Sequence, residues 1–109
     1  MKKELVAASA EPLILALLAK EENYGYSIIQ KIRDHSAERI QWTDGMLYPV
    51  LHRLERKGWI TSRWVESEKG RKRKYYALTI SGRKILKTQS HDWLAVHATL
   101  QRLLKGSSV

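Results

Sequence analysis

Cysteine is absent from the 109 residues. That excludes a disulfide framework and a thiolate metal site, and it fits a cytoplasmic chain. Long apolar runs are missing too. The run from Leu13 to Ala19 is far shorter than the roughly 20 residues a membrane helix needs, and it follows Glu11-Pro12. Neither a membrane span nor a secretory signal is expected, despite the basic start Met1-Lys2-Lys3.

Glycines are few and isolated, so no loop is built to cradle a phosphate. The four histidines, His35, His52, His91 and His97, show no HExxH-like spacing. His91 and His97 are six apart, which does not place them on one helix face. No Ser or Thr stands in a nucleophile elbow. An enzyme, a metal and a cofactor are therefore not expected. Internal repeats and low-complexity linkers are lacking as well.

Acidic residues are the minority: 11 against 20 Lys and Arg, a formal net charge of +9. That balance favours polyanions, nucleic acid first and an anionic membrane second. The charge is also focused. Between Arg53 and Lys74 lie nine basic residues and three acids, a net +6. A phosphate-binding footprint requires such focusing.

The stretch from Thr43 to Gly58 organises the rest. Leu47, Val50, Leu51 and Leu54 recur at i, i+3, i+4 and i+7, the pattern of a one-faced amphipathic helix. Thr43 or Asp44 can cap its start, and Gly58 followed by Trp59 can close its end. At about 100° per residue the opposite face carries Gly45, Pro49, His52 and Arg56, flanked by Tyr48 and Arg53. Small groups, a phenol, an imidazole and guanidiniums suit a helix whose N-terminal half enters a DNA major groove.

Upstream, residues from about Leu5 to Lys20 read as a first helix. Pro12 either kinks it or delays its start to Glu11. Tyr24-Gly25-Tyr26-Ser27 leads into a second helix that ends near His35. Arg39-Ile40-Gln41-Trp42 is a short extended connector to the Thr43 cap. Helix, connector and basic-faced helix make a helix-turn-helix arrangement.

Past Gly58 the composition changes to that of strands, Ile60 to Glu66 and Lys74 to Thr79. Between them Ser67-Glu68-Lys69-Gly70-Arg71-Lys72-Arg73 forms a basic hairpin tip. A two-stranded ribbon directly after a recognition-type helix is a wing. Arg71 is the candidate for insertion into a minor groove, where negative potential is concentrated. Lys69, Lys72, Arg73 and Lys74 would meet phosphates around Gly70.

Thr79-Ile80-Ser81-Gly82 caps a last helix that runs to about Lys105. Leu86, Trp93 and Leu100 alternate with Gln89, Val96 and Leu103, a seam of about three heptads. The rest of the chain is too small to cover it. A second copy of the same helix is the simplest partner, and a homodimer would set two reading helices roughly 34 Å apart on DNA.

The expected architecture is mainly α with a small β-hairpin: a winged helix-turn-helix over residues 1–79, a dimerisation helix over 80–105, and a flexible tail over 106–109. RNA binding is the rival reading on charge alone, and a coiled-coil protein-interaction module is another. RNA readers usually present exposed aromatics, whereas one of Tyr75 and Tyr76 should pack inward here. The interaction module leaves the basic wing unexplained.

The residues also resemble the PadR family of bacterial transcriptional regulators. The resemblance rests on Asn23-Tyr24-Gly25-Tyr26, on the run from Gly45 to Leu54, and on Gly58-Trp59-Ile60. It continues through Gly70-Arg71, Lys74-Tyr75-Tyr76, Leu78-Thr79 and Gly82, and spans nearly the whole chain in order. The short tail is similar to the branch with a single C-terminal helix. The resemblance implies a homodimeric winged helix-turn-helix, mostly a repressor, with Tyr48 on DNA phosphate. It implies a small aromatic or drug-like effector held at the dimer centre, with Trp93 as the stacking residue. Leu5, Ala8, Pro12, Leu86, Gln89 and His97 would wall that site.

Overall fold

A computed structural model describes residues 1–106. The elements in order are α1 (Lys3–Lys20), β1 (Asn23–Tyr24), α2 (Gly25–His35), α3 (Asp44–Arg56), β2 (Ile60–Glu66), β3 (Lys72–Leu78) and α4 (Ile80–Gly106). Four helices and a small antiparallel sheet thus form the expected winged arrangement.

Pro12 lies inside α1, which runs unbroken past it. The missing N–H leaves the Ala8 carbonyl without its helical donor, and Ala8 is exposed, so water can serve instead. Helix α3 is closed at both ends by local chemistry. Thr43 Oγ1 accepts from Met46 N–H at 3.3 Å. At the other end Trp59 N–H donates to the Leu54 carbonyl and Gly58 N–H to that of Glu55, with Gly58 at φ 76°. These paired bonds around a left-handed glycine form a Schellman closure. Thr79 caps α4 by accepting from Gly82 N–H at 3.0 Å.

Four expectations need correction. The ribbon is three-stranded, not two-stranded, in the order β1-β3-β2. Asn23 and Tyr24 pair with Tyr76 and Tyr75, so the segment that interrupts the helical pattern becomes an edge strand. Lys72 and Arg73 belong to β3 rather than the hairpin tip, paired with Glu66 and Val65. The connector after α2 is not simply extended. Ala37 and Glu38 take left-handed φ values of 52° and 65°, and beyond them Ile40 and Trp42 are buried. Gly106, expected in the tail, ends α4, and residues 107–109 lie outside the described residues.

The core gathers one face of each helix and the inner face of the sheet. Ile14 and Leu15 of α1, Ile28 of α2, Leu47, Leu51 and Leu54 of α3, Ile60 and Tyr76 are all fully buried. The predicted α3 stripe is thus the face that docks, and its opposite face is left to solvent. Only the first part of α4 joins this body, through Ile85 and Leu86. The remainder projects, and the described chain extends 63 Å along its longest axis.

Candidate nucleic-acid interface

Docking the leucine stripe of α3 inward turns Gly45, Tyr48, Pro49, His52 and Arg56 outward, all exposed. Thr43 and Asp44 are exposed at the helix start, where free amides and the helix dipole favour an anion. A Cβ on Gly45 would find only Thr43 Oγ1, at 3.9 Å, so a backbone or base edge can approach closely there.

Tyr48 is placed by Gly25. A Cβ at Gly25 would come within 2.9 Å of Tyr48 Cζ and still closer to its hydroxyl. The bare backbone at the start of α2 is the slot in which the phenol lies.

The wing stands opposite. Its tip is closed by Gly70 N–H donating to the Ser67 carbonyl at 2.9 Å, with Gly70 at φ 76°, a conformation that suits glycine. Register then sorts the basic residues. Lys72 and Lys74 share the helix-facing side with Tyr76, and Trp64 lies across from Lys74. Arg73 points to the other side, where its guanidinium lies 4.4 Å from the Tyr24 ring centroid, and Tyr24 meets Tyr75 edge-on at 5.3 Å. The Lys74 ammonium lies between two aromatic rings, 5.9 Å from Trp64 and 5.7 Å from Tyr76. Cation–π contact of this kind orders a basic side chain without neutralising it.

Helix and wing enclose a groove of about 660 Å³. It brings Tyr48 and His52 together with Arg71, Lys72, Arg73 and Lys74. Lys69 borders a neighbouring hollow with Arg71 and Arg73, next to Gly70 at the wing tip. Arg56 stays exposed nearer the C-terminal end of α3. Arg53, on the flank of this face, is engaged by α1. Its Nε donates to Glu11 of α1 at 2.9 Å, and Lys57 approaches the same oxygen at 3.6 Å. Burial raises the Glu11 carboxyl, but the Arg53 hydrogen bond and the charges of Lys57 and Arg53 outweigh it and hold the carboxyl below its usual 4.5.

Tyr24, Gly25, Tyr26 and Trp64 also line the groove and were not foreseen as site residues. Trp64 had a misleading signal: strand alternation puts it in phase with the buried Ile60, and only the projection of the hairpin beyond the core leaves the indole open. Tyr24 and Gly25 had only the Asn23-Tyr24-Gly25-Tyr26 motif.

A second recess, about 350 Å³, lies between α1, α3 and α4. Ala8, Pro12, Gln89 and Trp93 line it together with Ala7, Glu11, Arg53 and Asp92. Leu5 and His97 are exposed but lie off its lining, and Leu86 packs against the protein's own core. Of the seam, Leu86 and Gln89 are half-buried within the protomer, whereas Trp93, Val96, Leu100 and Leu103 are exposed.

Among the described residues no group of three or more His, Asp or Glu side chains is placed to hold a metal, and no helix is long and apolar enough to cross a membrane.

Comparison with known proteins matches residues 14–88 to the transcriptional regulator PadR-like family. A 92-residue stretch is 33% identical to the negative transcriptional regulator PadR of Bacillus subtilis, covering 84% of this chain and 48% of that protein. Among solved structures, a PadR-like transcriptional regulator of Bacillus cereus superposes with a TM-score of 0.83 at 30% identity, over 94% of this chain and 97% of that one. A transcriptional regulator from Clostridium thermocellum gives 0.83 at 27% identity, over 94% and 96%. With the match reaching across well over half its length, the chain belongs to the PadR-like family of transcriptional regulators, DNA-binding proteins rather than enzymes.

Proposed function

We propose that the protein is a repressor that binds a palindromic DNA operator as a homodimer. The observation that carries this is the shared groove. Tyr48 and His52 of α3 face Lys72 and Lys74 of the wing across one concavity, and Arg71 and Arg73 complete its lining. The N-terminal half of α3, from Thr43 and Asp44 through Gly45, Pro49 and His52, enters the major groove, and Arg56 meets the backbone. Tyr48 donates to a phosphate. Lys69, Lys72, Arg73 and Lys74 lie along the backbone, and Arg71 reaches into the minor groove beside Gly70. Arg53 has a different role, as the partner of Glu11. The repressive sense is supported by the Bacillus subtilis relative, a negative regulator by name. RNA binding is less well supported, because the sheet buries Tyr76 instead of offering it as a stacking platform.

The dimer forms along the part of α4 that the protomer leaves uncovered, Trp93, Val96, Leu100 and Leu103, with Leu86 and Gln89 at its inner end. The recess beside Trp93 is the effector site. Its lining sets Asp92 and the Glu11–Arg53 ion pair around the Trp93 indole, which suits a planar aromatic stacked on that ring. Quenching of Trp93 fluorescence by planar aromatic compounds, lost in Trp93→Leu, tests that part.

The decisive experiment is anisotropy of a labelled palindromic duplex taken from upstream of the protein's own gene, measured across a salt series. Two protomers should bind per duplex. Arg71→Ala should weaken binding and lower the slope of log affinity against log salt by about 0.9 per lost phosphate contact. An unchanged slope and affinity would remove the wing from the mechanism.

A further inference from the structure

We propose that Trp64 is a DNA-contacting residue, an indole that packs on the deoxyribose edge of a duplex seated in the groove and supplies affinity that salt does not screen. The proposal rests on the DNA-binding reading above, but not on the dimer or the effector.

Trp64 is 65% exposed in the middle of a regular strand. Tryptophan is the side chain with the most to gain from burial, yet nothing in the protomer covers it. Its position is set by pairing. Ser62 lies across from the buried Tyr76, Trp64 across from Lys74, and Glu66 across from Lys72. Side chains two apart share a face of the sheet. The face that is core at Tyr76 therefore continues outward as groove wall at Trp64 and Lys74. Trp64 lines the main groove together with Tyr48, His52 and Arg71. It also borders a smaller hollow of about 390 Å³ beside Glu66 and Lys72.

The surroundings point to the occupant. A tryptophan that anchors a protein partner sits at the centre of an apolar patch. Trp64 instead has charged strand-face neighbours, Lys74 and Lys72 on β3 and Glu66, itself across from Lys72, on its own strand. Duplex DNA presents the matching pattern: phosphates, and between them the apolar C–H edges of the sugars. Trp64 lies across from Lys74 and diagonal to Lys72, so with both ammoniums on phosphates the indole beside them is left against sugar. Electrostatic contacts weaken with salt through counterion release, and an apolar contact does not. Trp64 would thus sustain binding at salt concentrations where the lysines contribute least.

A narrower role is that Trp64 only props Lys74, whose ammonium lies 5.9 Å from its ring. The two roles separate in a double-mutant cycle. Affinity is measured for a mixed-sequence duplex about two helical turns long. Four proteins are compared: wild type, Trp64→Thr, Lys74→Gln and the double variant. Threonine keeps the strand propensity, and thermal melting checks the fold. Contact with DNA requires that Trp64→Thr weaken binding about tenfold, the scale of an aromatic contact to a nucleotide. The salt slope should not change, and the loss should be the same in the Lys74→Gln background. Trp64→Tyr, which keeps an aromatic face, should recover most of it. Unaltered affinity in Trp64→Thr overturns the proposal, as does a loss that vanishes once Lys74 is gone. If the wild-type protein itself fails to bind duplex, the DNA reading falls and this proposal with it.

Discussion

Arg53 of α3 donates its Nε–H to Glu11 of α1 at 2.9 Å, across 42 positions of sequence. The same Glu11 lines the recess next to Gln89 and Trp93. One carboxylate therefore touches both α3 and the recess beside Trp93. The pair also fixes α3 against α1, so the angle at which Tyr48 and His52 are presented depends on a contact outside the groove.

This pair gives a pH dependence. Glu11 is held below 4.5 in the folded protein, so its contribution to stability is complete above about that pH and is lost as pH falls through the lowered value. Arg53 is 42% exposed and solvent screens the pair, so Glu11→Gln should cost about 1 kcal/mol at neutral pH. Chemical denaturation at pH 7 and at pH 3 checks this. The gap between the two proteins should be narrower at pH 3 than at pH 7, and an equal gap at both would mean that packing, not charge, sets the cost.

Much of the groove was legible because its causes are local. The stripe from Leu47 to Leu54, the Thr43 cap and the Gly58 closure need no knowledge of the remaining chain. Arg53 shows the limit. A helical wheel puts it on the flank of the DNA face, but it cannot know that α1 will deliver a carboxylate there. β1 was illegible for a similar reason: two residues carry no periodicity, and only the distant Tyr75 and Tyr76 make them a strand. Lys72 and Arg73 looked like loop because charge is depleted from strands, whereas register with Glu66 and Val65 decided otherwise.

Gly25→Ala should uncouple Tyr48 from its slot. Alanine favours a helix by itself, yet here its Cβ overlaps the phenol, a clash of the kind that costs about 1–3 kcal/mol. The hydroxyl is the nearest atom, so Tyr48→Phe should relieve part of the strain. Thermal melts of the two single variants and the double variant should give a less than additive loss. Additive losses would place the phenol elsewhere in solution.

Ala37→Gly should stabilise the protein. Ala37 is exposed and held at φ 52°, a conformation that costs a residue bearing a Cβ about 1–2 kcal/mol. Glycine removes that cost and adds unfolded-state entropy, leaving a net gain of about 0.5 kcal/mol. Urea denaturation reads the sign directly. A loss of stability would mean that the Ala37 methyl makes a contact worth more than the strain.

The uncovered seam of α4 makes the most demanding prediction. Val96 and Leu103 are each 66% exposed, seven residues apart on one helix face, so charge placed there leaves the protomer's own packing intact. In a paired seam each carboxylate would face its own copy and lose its water, a penalty of several kcal/mol. Val96→Glu with Leu103→Glu should therefore convert a particle of twice 12.7 kDa into one of 12.7 kDa in sedimentation at micromolar concentration. The melting transition of the winged domain should survive. Operator affinity should fall steeply, because two half-sites no longer bind as one unit, while affinity for a single half-site should barely change. A variant that still sediments as a dimer would show that copies meet on another surface, and the spacing of the two reading helices would have to be set there.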